Sequence, residues 1–284
     1  MVLVTLAGGL GNQLFQFSAG YSLSRKRKSI LILDCSDYYK KSLLDSSDLE
    51  YKNICQFRLD KVVDINDFII VKNIYISRLI RLYFIFIHLF TFGYLRYSNI
   101  QEKKFFEYKA IPKSSNYFLN GYWQNLRYFR KDLNMILEKF KVKKVKKKKN
   151  VSIHIRRGDY INSQFDICDS KYFLQSLNLI HSKASLKKKI MYNFFCLDLK
   201  WLKSNLDLSN YNYKVINNKK DPINDFFQMC NSDNIIISNS TYSWWAAAFI
   251  KYMNKDNIVI CPKFWGNKIY FKRINIYPDN WLKI

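Results

Sequence analysis

The stretch Val151-Ser152-Ile153-His154-Ile155-Arg156-Arg157-Gly158-Asp159-Tyr160 runs from an apolar segment straight into two arginines, a glycine and an aspartate. Its first five residues read as a short buried strand. In open α/β sheets, ligands collect at the carboxyl ends of strands, where the Arg-Arg-Gly-Asp cluster falls. Arginine forks match phosphate oxygens in a bidentate way, so the adjacent Arg156 and Arg157 suit a diphosphate. Gly158 permits close backbone approach. Asp159 can orient an arginine or act on a substrate hydroxyl. The plainer alternative is a surface turn with its own ion pairs. His154 either lines the same pocket or is a core histidine with a satisfied ring.

The same strand-then-helix rhythm extends outward in both directions. Strands are expected at 190–197, 213–216, 235–238 and 258–261. Helices fall between them, one with Ile223, Phe226, Phe227 and Cys230 at helical spacing and one over 243–253. The first half has strands at 2–6, 30–34, 67–71 and 116–120 and a helix over 12–26. Leu126, Phe129, Leu133, Leu137 and Phe140 predict an amphipathic helix over 126–140. Short apolar strands without alternation imply parallel sheets buried on both faces. The expected fold class is therefore α/β, as two Rossmann-like, doubly wound domains with an interdomain cleft. The lysine-rich run 141–150 reads as the linker, which divides the chain into 1–145 and 146–284. The C-terminal tail is expected to pack back on the first domain. Residues 79–92 are apolar but too short to span a bilayer, and Arg81 and His88 interrupt them. A buried helix is expected there, with an interfacial membrane helix as the alternative.

Two further strand ends carry polar clusters. Ser238-Asn239-Ser240-Thr241-Tyr242-Ser243 separates a strand from a helix. Its hydroxyls and the helix N–H groups form a candidate anion site, against plain helix capping. Asp198 ends another strand, as a ribose or base acceptor or as a helix N-cap. Near the N-terminus, Gly8-Gly9-Leu10-Gly11-Asn12-Gln13 joins strand to helix. It has Leu14 where a dinucleotide fingerprint has its third glycine, and it lacks a P-loop lysine. Gly9, Gly11, Asn12 and Gln13 are therefore expected as one wall of the cleft rather than as a phosphate cradle.

The net charge of +25 favours polyanionic partners: nucleic acid, anionic lipid or phosphorylated substrates. Coding bias toward Lys, Asn and Ile explains the lysines equally well. Six cysteines lie far apart without a C-x-x-C pair, so no disulfide framework is implied and a reducing cytosol is expected. The first residues read as a strand rather than a leader peptide. No D-x-D, H-E-x-x-H or Walker motif occurs, which leaves the arginines the charge-neutralising work that a metal does elsewhere.

GGLGNQLFQF (8–17), GYWQN (121–125), HIRRGDY (154–160) and SNSTYSWW (238–245), in that order, resemble glycosyltransferase family 11, the α-1,2-fucosyltransferases. The resemblance implies a GT-B-like fold and inverting transfer of L-fucose from GDP-β-L-fucose to the 2-hydroxyl of a terminal β-galactoside. It implies no cofactor and no metal, with GDP-fucose as the donor substrate. A galactose-terminated glycan or lipid-linked oligosaccharide of O-antigen or capsule would be the acceptor. By position, Arg157 and Arg156 would bind the diphosphate, and His154 and Asp198 would lie near guanosine. Ser240, Thr241 and Ser243 would meet the phosphates. Apart from the resemblance, Asp159 is the best-placed nearby carboxylate for a base, with another residue or a loosely held proton as the alternative. Acceptor contacts are expected in the first domain, around 43–57, with the apolar segment 84–92 as a further candidate. Cys196-Leu197 stands where the family has Ser-Asp, and Ala246 where it has glycine. A cytoplasmic location follows, with peripheral contact at the inner membrane face and no nucleic-acid partner. The competing classes are a non-enzymatic polyanion-binding protein and a related glycosyltransferase with another donor or linkage.

Overall fold

The computed structural model describes residues 1–40, 56–102, 104–143, 150–183, 190–217, 221–274 and 276–284. The chain divides into two compact units, Met1–Lys141 and Val142–Ile284. The boundary falls at the start of the lysine run, of which 144–149 lie outside the described residues, as do 43–55 of the expected acceptor region.

The first unit is built on strands β1 (Val2–Thr5), β2 (Leu31–Asp34), β3 (Ile69–Val71), β4 (Tyr97–Gln101) and β5 (Asn116–Asn120). They form one parallel sheet in the order β3-β2-β1-β5-β4. Helix α1 (Leu10–Arg27) follows β1 and is buried from Leu10 to Leu14 and beyond on nearly every side, apart from Asn12. That all-round burial explains why its sequence shows only weak periodicity. Gly20 makes the close approach possible, because a Cβ there would lie 2.4 Å from Val4 Cγ2. Successive strand residues point to opposite faces. Val4 and Leu31 meet α1, while Leu3 and Ile32 join Phe84 and Phe118 in a separate apolar cluster.

Phe84 belongs to helix α2 (Ile74–Phe90), which Asn73 caps by accepting from the N–H groups of Tyr75 and Ile76. The expected buried helix is half right. Only Ser77 and Phe84 of α2 are buried, and much of its apolar surface faces outward. One stripe suffices to cover this part of the sheet. Asp34 sets the orientation of that stripe: its carboxylate accepts from Ser77 Oγ and from Arg81 Nη2 at 2.8 Å. Arg81 also lies over the Phe118 ring at 4.4 Å.

The expected helix over 126–140 is a second correction. The segment is broken into 3-10 turns at Leu126–Tyr128 and Arg130–Asp132 before a short helix α3 (Leu133–Glu138). Asn125 accepts from Arg127 N and so starts a local turn that competes with helix propagation. Leu126, Phe129, Ile136, Leu137 and Phe140 are nevertheless buried, so the apolar pattern reported burial rather than a continuous helix.

The second unit contains β6 (Asn150–Ile155), β7 (Met191–Cys196), β8 (Tyr213–Ile216), β9 (Asn234–Ile236), β10 (Val259–Cys261) and β11 (Leu282–Lys283). They too form a parallel sheet, ordered β11-β10-β9-β6-β7-β8. The principal helices are α4 (Ser170–Lys183), α5 (Leu199–Asn205), α6 (Pro222–Cys230) and α7 (Thr241–Met253). Val151, Ile153, Phe173, Leu177, Ile180 and Phe194 form the core beneath α4. Burying each such side chain contributes about 1.5–3 kcal/mol. The C-terminal residues belong to the second unit. They close the second sheet, with Leu282 and Lys283 paired to Ile260 and Cys261.

The Gly20 contact gives a stability test. Gly20→Val should lower stability by about 1–3 kcal/mol through overpacking against Val4 and Leu31, read as a fall in thermal melting temperature.

Candidate active site

The strand order places the polar clusters. From β6 the chain proceeds to β7 and β8 on one side, then returns with β9 on the other side of β6. That reversal makes the β6/β9 boundary a topological switch point, where ligands bind beyond the carboxyl ends of the strands. His154 to Asp159 leave β6 there, Ser238 to Ser243 leave β9, and Asp198 follows the neighbouring β7. Hence three segments that are far apart in sequence converge.

Hydrogen bonds hold the convergence. Ser238 Oγ donates to His154 O at 2.8 Å and accepts from Arg156 N at 3.0 Å. Asn239 is buried, and its Nδ2 donates to Phe165 O and Trp265 O. Tyr160 OH donates to Asn239 O. Gly158 has φ +42°, a left-handed conformation that turns the chain after the arginines.

The arginines differ. Arg156 Nη2 lies 2.7 Å from Asp159 Oδ1, and both remain partly exposed. The ion-paired turn that the sequence allowed is thus present. Arg157 is held more deeply: its Nη1 is 3.6 Å from Asp166 Oδ1, its Nε is 3.4 Å from Asp198 Oδ2, and its guanidinium lies 4.6 Å from the centre of the Trp201 ring. These ion pairs are longer than ordinary charged hydrogen bonds. Arg157 Nε is buried without a hydrogen-bond partner among the described residues. Asp198 also accepts from Trp201 N, so it caps α5 and buttresses Arg157 at once.

His154 is buried, tilted against Tyr242, and its Nδ1 likewise lacks a partner. Burial, helped by the charge of Arg156, lowers its pKa to about 3, so the ring is neutral. A neutral imidazole offers one donor and one acceptor nitrogen.

Ser240 occupies the N-cap of α7, but its side chain makes no capping bond. Capping therefore does not account for that hydroxyl. Thr241 opens the helix and is half-exposed. Ser243 differs from the expectation: it is fully buried and donates to Ser240 O at 3.4 Å, a bond within the turn. Trp244 and Trp245 are packed in the core, and Trp244 Nε1 donates to Ile276 O.

In the first unit, the β1/β5 boundary is a second switch point. Gly9 is the extended N-cap of α1, and Gly11 is buried in its first turn. Asn12 stays half-exposed and accepts from Gln124 Nε2 at 2.7 Å. Gln13 does not line a wall as expected. It has no exposed surface, and its amide donates to Gly8 O and Gln56 O while accepting from Arg58 N and Leu59 N. Gln13 is a structural brace because every polar atom of its amide is engaged. Gln16 similarly links Ala7 N to Gly121 O.

Sequence reasoning missed Asp166 and Trp201, which position Arg157. Trp201 lay three residues beyond Asp198, a spacing that fits one helical turn, whereas Asp166 carried no local signal. It also missed Glu102, whose carboxylate accepts from Tyr122 N and Trp123 N at the end of β5. Burial raises the pKa of Glu102.

The pattern of Glycosyl transferase family 11 matches residues 1–284. The chain belongs to that family. It is 31% identical over 312 residues to the O-antigen biosynthesis glycosyltransferase WbnK of Escherichia coli, covering 98% of this chain and 99% of that one. It is 28% identical over 306 residues to an alpha-1,2-colitosyltransferase of Escherichia coli, covering 100% and 99%. Among solved structures it resembles fucosyltransferase NodZ from Bradyrhizobium, with a TM-score of 0.51 at 10% identity over 86% of this chain and 91% of that one. A NodZ alpha-1,6-fucosyltransferase crystal soaked with GDP-fucose gives 0.50 at 10% identity over 88% and 92%. The GT-B-like fold of this family member is thereby shared with distant fucosyltransferases.

His154 predicts a pH dependence of stability. Its folded pKa, about 3, lies below the ordinary histidine value of 6.5. The unfolded chain therefore binds the proton first, and stability present above 6.5 is lost as pH falls toward 3. Between pH 7 and pH 5 the loss should be about 2 kcal/mol. Denaturant melts of His154→Asn should show a correspondingly weaker decline over the same interval.

Proposed function

We propose that this glycosyltransferase moves L-fucose from GDP-β-L-fucose to the 2-hydroxyl of a terminal β-galactoside, with inversion. The observation that carries the reading is the pair of buried polar atoms that make no hydrogen bond among the described residues, Arg157 Nε and His154 Nδ1, at the β6/β9 switch point. Buried polar groups in folded proteins are nearly always satisfied, and a ligand satisfies them here. An arginine pair beside the N-terminus of α7 suits a diphosphate. His154 suits a guanine edge. NodZ, which shares the fold, was soaked with GDP-fucose, and WbnK is named for O-antigen biosynthesis. The acceptor is then a galactose-terminated glycan or lipid-linked oligosaccharide, met at the cytoplasmic face of the inner membrane.

In the proposed reaction the acceptor oxygen attacks C1 of fucose from the face opposite the phosphate. The C1–O bond breaks, and GDP leaves with the electron pair. Arg156, Arg157, the hydroxyls of Ser240 and Thr241 and the N–H groups that open α7 stabilise the developing charge. No cofactor takes part. The acceptor proton passes to a base, assigned to Asp159. Asp159 must first release Arg156, and a diphosphate arriving on Arg156 offers that exchange.

A second reading keeps the site and changes the sugar. It is favoured by the full-length similarity to a colitosyltransferase. Transfer assays with GDP-fucose, GDP-colitose and GDP-mannose separate the two. GDP-fucose should be turned over fastest, and a preference for GDP-colitose would replace the donor assignment.

Arg157→Lys keeps a charge between Asp166 and Asp198 but loses the fork. It should lower kcat/KM by about 10²–10³-fold, on the scale of losing one preorganised charge-stabilising donor, with melting temperature little changed. Wild-type turnover by this variant would remove Arg157 from the site. Asp159→Asn should lower kcat while leaving GDP binding by calorimetry unchanged.

A further inference from the structure

Helix α2 leaves an apolar face without a partner among the described residues. At about 100° per residue, Tyr75, Leu79, Leu82, Phe86, Leu89 and Phe90 fall within roughly 100° of arc. That arc lies opposite the inward stripe of Ser77, Arg81 and Phe84. Leu79 is 64% exposed, Phe86 59%, Leu89 66% and Phe90 72%. Phe86 and Phe90 stack on each other at 5.3 Å between ring centres. Just past the helix, Phe92 and Tyr94 are also exposed. A contiguous apolar patch of this size on a protein surface marks an interaction site rather than ordinary exposure.

Its charge surroundings identify the occupant. The sequence has no carboxylate between Asp67 and Glu102, while Lys72, Arg78 and Arg96 are exposed around the helix. Neither Arg78 nor Arg96 has a carboxylate partner among the described residues. Arg81, the remaining guanidinium, is turned inward to Asp34. It thus fixes the helix with its apolar arc outward.

We propose that the outer face of α2 docks the enzyme on an anionic lipid surface. The aromatic and leucine side chains would enter the headgroup–acyl boundary, and Lys72, Arg78 and Arg96 would meet lipid phosphates. The helix has 17 residues, about 25 Å at 1.5 Å per residue, and lies in the surface. Among the described residues no helix is long and apolar enough to cross a membrane. A second copy of the chain is disfavoured as occupant, because two molecules of net charge +25 would bring cationic faces together. The purpose of such docking rests on the functional reading above, since it would bring the enzyme to a lipid-linked acceptor. The docking face itself stands on α2 alone.

The test is vesicle flotation with the full chain. Wild type should float with vesicles of phosphatidylethanolamine and phosphatidylglycerol, and bind vesicles of phosphatidylcholine at least tenfold more weakly. The triple variant Leu79→Ser, Phe86→Ser, Phe90→Ser should lose at least tenfold in binding to the anionic vesicles. Its circular dichroism and its transfer rate to a soluble galactoside should match wild type. Arg78→Glu with Arg96→Glu should weaken binding chiefly at low salt. Wild type that stays in solution, or a triple variant that floats as well as wild type, overturns the proposal. So does a wild-type dimer by light scattering that becomes monomeric in the triple variant without any vesicle binding. Failure of fucosyl transfer in the soluble assay would instead count against the donor and acceptor reading and leave the flotation result standing.

Discussion

The hydroxyl of Ser238 closes the gap where β6 and β9 part. Their ladder registers Val151 with Asn234 and Ile153 with Ile236, and then the two chains diverge. Divergence leaves backbone groups without ladder partners in a buried place, which costs free energy. Ser238 N and Oγ both donate to His154 O, and Oγ accepts from Arg156 N, so this one residue satisfies both groups. The arginine pair, the turn at Gly158 and the start of α7 all take their positions from that join. Asn239 extends the join by tying the Phe165 and Trp265 segments to the same turn.

The site uses its ion pairs for position rather than for neutrality. Asp166, Asp198 and Trp201 surround Arg157 at distances that hold the guanidinium but leave Nε without a hydrogen bond. A diphosphate would then find the fork oriented and partly desolvated, so little ordering entropy remains to be lost on binding. His154 follows the same logic: burial keeps its ring neutral, and its unpartnered nitrogen is a ready contact.

The two units solve one packing problem in different ways. In the second, α7 is buried from Ser243 to Ile250 and joins the core. In the first, α2 contributes one buried stripe and holds the rest outward, tethered by Arg81 and Ser77 to a buried Asp34. A helix that is apolar all round is ordinarily buried all round. The exposed arc of α2 is therefore a surface built for contact, in a stretch from which acidic residues are missing.

Local sequence determined most strands, because short β-branched runs bounded by polar turns have few other uses. Nearly every strand from β1 to β10 could be placed within two residues, and the HIRRGD and SNSTYS clusters were legible as strand-end sites. Edge strands β4 and β11 were not, since their residues lack a clear apolar run. Tertiary structure alone decided which side chains reach a ligand and which hold the fold. Gln13 and Ser243 look like contact residues in sequence, yet both are enclosed, with their polar atoms turned to the backbone. The apolar run over 79–92 could not reveal that only one stripe would be covered, because coverage depends on how much sheet lies beneath it. The Leu126–Phe140 spacing announced burial, but Asn125 and the turns after it decided against a continuous helix. Periodicity and residue type record what a segment prefers, whereas burial and hydrogen-bond completion depend on neighbours supplied by distant parts of the chain.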